Sequence, residues 1–158
     1  MFCRRCGEQN PDAATSCSRC GGALQPVVAA AAGPAATVGT PLPASQAVSN
    51  IVVDILFSLV TCGIYNLFWN ARQFRALNAF LGEERFAFWK WLLLSIVTCG
   101  IYNIYNEYLV GVAIVDVQRN ANRPVSANMP LLCVVISIFG LSVVADAIQQ
   151  HEINKLYR

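Results

Sequence analysis

Charged side chains are scarce in this chain. They make up 13% of its 158 residues, against 56% hydrophobic. A soluble domain averages about 25% charged and roughly 45–50% apolar, so the shortfall points to lipid. The net charge of +2 excludes an electrostatic case for nucleic acid. Histidine occurs once, as His151, which excludes a two-histidine zinc hydrolase site. No serine elbow, phosphate loop or nucleotide fingerprint is present, so no enzyme is expected. No basic-then-apolar leader opens the chain, and a cleaved secretory signal is not expected. Residues 23–47 lack both charge and apolar periodicity. They hold nine Ala, with Pro at 26, 34, 41 and 43 forbidding a continuous helix. They read as a disordered, flexible linker, spanning roughly 25–30 Å root-mean-square.

Cysteine is present, and it divides into two groups. Cys62, Cys99 and Cys133 are scattered through apolar runs, whereas Cys3, Cys6, Cys17 and Cys20 form two C-x-x-C pairs ten residues apart. Each pair can reach one metal ion from a tight turn. Gly7 and Gly21 follow the second cysteine of each pair and let the backbone turn back. Four thiolates make a closed tetrahedral Zn2+ site, structural because no position stays open. Two disulfides, a redox dithiol or bound iron are the alternatives at this point. Residues 2–22 resemble the short N-terminal zinc ribbon of many bacterial membrane and regulatory proteins, within a head that spans 1–22. Arg4 and Arg5 stand where Pro is commoner. The head nets +1, from Arg4, Arg5 and Arg19 against Glu8 and Asp12, and it has no stacking platform beyond Phe2. A protein partner is therefore expected rather than nucleic acid.

From Val48 onward the chain repeats itself. Thr61-Cys62-Gly63-Ile64-Tyr65-Asn66 recurs as Thr98-Cys99-Gly100-Ile101-Tyr102-Asn103, 37 positions later. Repeats near 51–81 and 88–118 follow, with a weak third near 129–157 where Gly140 stands without Thr or Tyr. Three apolar stretches, Ile51 to Trp69, Trp91 to Asn106 and Pro124 to Ala145, are long enough to span a bilayer, the first two only if the repeated string lies inside the span. The fold expected for 48–158 is therefore an all-α integral membrane domain of about three transmembrane helices. The apolar run before each string is only about ten to a dozen residues, which also fits a re-entrant hairpin turning at Gly63 or Gly100. Three spans would set five basic residues on one side against six on the other, so the positive-inside rule is silent. The reduced thiols of the head favour the cytosol, predicting a multi-pass inner-membrane protein with a cytoplasmic zinc ribbon.

Ile64, Leu67, Phe68, Ala71, Phe74, Leu77 and Leu81 share helical spacing and read as one lipid-facing side of an amphipathic helix, with Asn66, Asn70, Arg72 and Gln73 on the remaining faces. Asp54, Glu107 and Asp146 read as terminal charges of apolar stretches. Gly63 and Gly100 are expected to accept Ala but not bulky residues. Thr61 to Tyr65, Thr98 to Tyr102 and the closing Gln150-His151-Glu152-Ile153-Asn154 resemble an uncharacterised bacterial family of small membrane proteins, a domain of unknown function with repeated T-x-G-I-Y segments. The resemblance covers roughly 50–158 and implies a membrane protein often joined to a zinc ribbon, with no activity. The function expected is a membrane-anchored binding, scaffolding or regulatory module. Its partners would be membrane lipid, a protein for the ribbon, and a second copy in a homo-oligomer. The alternative is a small transporter or channel-like oligomer using the repeated strings as its pathway.

Overall fold

The computed structural model describes residues 16–21 and 39–158. The chain forms two compact units, Met1–Ala35 and Ala36–Arg158. In the first, Cys17 to Cys20 form a tight turn. The Gly21 amide donates to the Cys17 carbonyl at 3.0 Å, and Gly21 has φ +65°. Cys3, Cys6 and residues 23–38 of the linker lie outside the described residues.

Among its described residues the second unit contains seven helices: α1 (Ala44–Ala47), α2 (Ile51–Val60), α3 (Ile64–Leu81), α4 (Phe88–Val97), α5 (Ile101–Asn120), α6 (Met129–Ile138) and α7 (Ser142–Leu156). The last part of the expected linker packs onto this unit. The Gly39 amide donates to the Phe80 carbonyl at 3.0 Å, and Ala47 is buried.

Helices α2 to α7 pair into three hairpins, each a ten-residue apolar helix followed by a longer, polar-dotted one. The long helices return to one end of the unit. There Arg85 meets Asp116 at 3.6 Å, Phe80 lies edge-on to Tyr157, and Gln118 bonds Glu152 at 2.8 Å. The three turns therefore gather at the opposite end. An apolar core fills the space nearer the return end. Phe74 stacks on Phe86 and meets Trp91 edge-on, while Leu77, Ile114, Cys133 and Ile153 are fully buried. Helices α5 and α6 approach so closely that a Cβ on Gly111 would lie 2.7 Å from the Pro130 Cα.

This architecture corrects the expectation of three transmembrane helices. No helix among the described residues is long and apolar enough to cross a membrane. The reason is the turn. A ten-residue helix is about 15 Å long, and a hydrocarbon core is about 30 Å thick. At Cys62 (φ +49°) and Gly63 (φ +90°) the chain enters the left-handed region and reverses, as it does at Cys99 (φ +50°) and Gly100 (φ +90°). The multi-pass inner-membrane placement, with its cytoplasmic head, falls with the spans.

Each reversal is a Schellman motif. The Gly63 amide donates to Ser58 O at 2.8 Å and the Cys62 amide to Leu59 O at 3.2 Å; Gly100 and Cys99 do the same to Ser95 and Ile96. Threonine then joins the two helices. Thr61 Oγ1 donates to Phe57 O at 2.7 Å and accepts from the Tyr65 amide at 2.9 Å. Thr98 repeats both bonds, to Leu94 O and from Tyr102. The third turn uses one left-handed residue, Gly140 (φ +78°), with the Leu141 amide reaching Ile136 O.

A Cβ at Gly63 or Gly100 meets nothing within 4 Å. Backbone conformation, not space, sets the constraint there, so Ala is penalised as well as larger residues. Gly63→Ala and Gly63→Leu should each cost about 1 kcal/mol in chemical denaturation, with the Gly100 variants alike. A Leu cost several times the Ala cost would show steric contact instead.

Candidate functional site

The long helices turn polar side chains inward. Asn66, Asn70 and Gln73 lie on one stripe of α3, Asn103, Asn106 and Glu107 on one of α5, and Asp146, Gln149 and Gln150 on one of α7. Most are buried, including Asn70, Gln73, Asn106, Glu107, Asp146, Gln149 and Gln150. Asn66 Nδ2 and Asn70 Nδ2 donate to Asp146 Oδ2 at 2.8 and 3.3 Å, and Gln73 Nε2 donates to Asp146 O at 2.9 Å. Gln149 Nε2 donates to Glu107 Oε2 at 2.6 Å. Trp69 Nε1 donates to Gln150 Oε1 at 3.0 Å, and Gln150 passes a bond to Ala47 O. In a low-dielectric interior such bonds fix helix register, because an unpaired polar group there is costly.

Burial governs the two core carboxyls. It pushes Asp146 up to about 6, against the lowering effect of the Asn66 and Asn70 bonds. It pushes Glu107 well above the ordinary carboxylate range, with the Asp146 charge adding to the shift. Cys133 is raised to about 12, first by burial and then by Glu107, so its thiol stays protonated and unreactive. Asp54 is buried too. It accepts from Tyr65 OH at 2.7 Å and pairs with Arg72 at 2.8 Å, tying α2 to α3.

These placements overturn the reading of Asp54, Glu107 and Asp146 as terminal charges. The amphipathic reading of α3 holds only in part: Ile64 and Phe68 are 63% and 68% exposed, but Phe74 and Leu77 of the same stripe lie in the core, and Asn70 and Gln73 are buried against protein. The available signal was the i, i+4, i+7 spacing of Asn66, Asn70 and Gln73, which puts amides on one helical face.

What the hairpins expose is the converse. Phe57, Val60 and Ile64 at the first turn, Ile96, Val97 and Ile101 at the second, and Ile138, Phe139 and Leu141 at the third are all exposed. No charged residue occurs between Asp54 and Arg72, between Lys90 and Glu107, or between Arg123 and Asp146. The turn end is therefore a charge-free apolar surface over a polar interior. Cys62 and Cys99 sit on it, exposed. Trp89, Tyr105 and Tyr108 are exposed further from the turns.

Among the ribbon cysteines, the structure describes Cys17, which is buried, and Cys20, which is exposed. Their turn and the Gly21 reversal suit a thiolate knuckle. Among the described residues no group of three metal-binding side chains occurs.

A cysteine knuckle preceding a unit of helical hairpins defines the class. Residues 48–85 and 86–151 match the family model described as a domain of unknown function, DUF4234, and the chain belongs to that family. Residues 2–24 match a zinc-ribbon domain. No curated protein and no solved structure matches the chain.

The raised carboxyl has a linkage consequence. A folded value of about 6 against an ordinary 3.8 means the folded state holds a proton that the unfolded state releases in that window. Stability is then greatest below the ordinary value and falls as pH rises through about 6. Thermal melts across this range should show the decline, and Asp146→Asn should shrink it and melt higher at neutral pH. A variant that melts lower at neutral pH, with the slope intact, would show that burial does not raise the proton affinity of Asp146 in the fold.

Proposed function

We propose that this protein is a lipid-surface adaptor that acts by binding rather than by catalysis. The helical unit seats its three apolar turns in one leaflet without crossing, and the zinc ribbon holds a protein partner. The observation that carries the reading is the inverted layering: polar side chains inside, uncharged apolar side chains outside, at one end. Water would favour the opposite layering, since exposed apolar patches of this extent mark interaction surfaces. Lipid also fits by length. Helices of about 15 Å match one leaflet of a roughly 30 Å hydrocarbon core. Trp89 lies at the far end of α4 from its turn, at the depth where indole rings favour the headgroup boundary. The transporter reading gains no support from the fold.

For the ribbon, the donor set is Cys3, Cys6, Cys17 and Cys20. When bound, Zn2+ would tie these thiolates into a closed structural site. A segment of some twenty residues has no core of its own, so metal binding would supply its folding energy. Metal analysis of the purified chain should find one zinc per chain, lost in Cys17→Ser. Thiols at all four positions that react freely in the presence of zinc would contradict this ligand set.

The docking reading is tested by flotation of the full chain with phosphatidylcholine vesicles. Val60, Val97 and Phe139 are 80%, 70% and 77% exposed, so substituting them should leave the fold intact. Val60→Asp, Val97→Asp and Phe139→Asp should each weaken binding roughly tenfold or more, since burying such a side chain contributes about 1.5–3 kcal/mol. Variants that float as the parent does would contradict lipid docking. A change of oligomeric state in place of lost flotation would assign the apolar end to a second copy.

A further inference from the structure

A concave site opens where the start of α2 meets the end of α7. It has a volume of about 150 Å³, and its walls include Ser49, Asn50, His151, Lys155 and Arg158. We propose that this pocket binds the phosphate of an anionic phospholipid headgroup, an inference that rests on the docking reading and gives it a lipid preference.

Three observations converge on it. The pocket wall carries Lys155, Arg158 and the imidazole of His151, and no carboxylate side chain lines it. Lys155 is paired with Glu152 at 2.7 Å, so Arg158 and His151 are the basic side chains of the wall left to meet an anion. The N-terminus of the ten-residue α2 forms part of the rim; Asn50 Oδ1 already accepts from the Val52 and Val53 amides, so the helix contributes the field of its dipole rather than open donors.

The walls are also fixed in place. Asn154 Nδ2 donates to Ser49 O at 2.9 Å and Asn154 Oδ1 accepts from the Ser49 amide at 3.3 Å, clamping the segment before α2 onto α7. Gln150 Nε2 donates both to Asn154 Oδ1 and to Ala47 O at 2.9 Å, which orients the clamp. The volume suits a phosphate and its ester carbons and is too small for a ligand of drug size, which needs about 300 Å³ or more. Depth completes the argument. The pocket lies at the opposite end of α2 from its turn, about 15 Å away at 1.5 Å per residue. With the turns near the bilayer midplane, that is the level of the headgroups.

The test compares the full chain with neutral phosphatidylcholine vesicles and with vesicles also containing phosphatidylglycerol. Three variants join the parent: Arg158→Gln, His151→Gln, and Arg75→Gln as a control that removes one exposed charge from α3. The parent should bind the anionic vesicles more tightly. Arg158→Gln should lose about tenfold or more of that gain, as expected when a hydrogen bond between charged groups is removed. Arg75→Gln should lose less than Arg158→Gln. Equal losses at 75 and 158 would reduce the effect to diffuse charge attraction and overturn the pocket. Competition by soluble glycerol phosphate as effective as the lipid would show a site for free phosphate, which also overturns it. Binding to neutral vesicles without an anionic gain removes the pocket and leaves the docking reading standing. Anionic binding that depends on Arg158, with none to neutral vesicles, removes the apolar docking and leaves the pocket.

Discussion

The left-handed reversal after each ten-residue apolar helix is the constraint on which the rest of this structure depends. Cys62 and Gly63, then Cys99 and Gly100, take positive φ and send the chain back along itself. Threonine makes the reversal rigid by closing one helix and opening the next with a single hydroxyl. Once the chain turns there, a run that reads as a span becomes half of one. Its apolar residues are then left at one end of the unit, with no matching layer of protein to cover them.

The second half of each hairpin answers to the first. A helix that exposes Ile64 and Phe68 turns Asn70 and Gln73 toward its neighbours. Such groups stay buried only with partners, and Asp146, Glu107, Gln149 and Gln150 supply many of them. Two buried carboxyls with raised proton affinity follow from this packing, since burial disfavours the charged form. The apolar core of Phe74, Leu77, Trp91 and Ile114 then forms nearer the return end. The domain is thus layered along its axis, from apolar outside at the turns to apolar inside at the base.

Much of this was legible in the sequence, and the exceptions have physical causes. The helical class, the internal repeat and the family resemblance were all readable from the Thr-Cys-Gly-Ile-Tyr-Asn strings. The choice between span and hairpin was not. Hydropathy measures apolar length, and it is insensitive to the sign of φ at Cys62 and Cys99. The third turn was faint because Gly140 alone takes the left-handed position, so no Cys-Gly pair was required there. The inward polar stripes escaped because an amphipathic pattern does not say which face meets protein. Asp54 was misread for a related reason: its partners Tyr65 and Arg72 come near it only when α3 folds back.

The central claim is that the three turns enter one leaflet and stop there. Cys62 and Cys99 are exposed at the turns, whereas Cys133 is buried and held protonated. With the ribbon loaded with zinc, either turn thiol can carry a polarity-sensitive fluorophore once the other is replaced by serine. On phosphatidylcholine vesicles, the account predicts a shift to an apolar emission from both positions. It also predicts quenching by nitroxides placed deep on the lipid chains, and protection from aqueous quenchers supplied on either side of the membrane. A fluorophore at Cys62 or Cys99 that remains open to an aqueous quencher in vesicle-bound protein would contradict it.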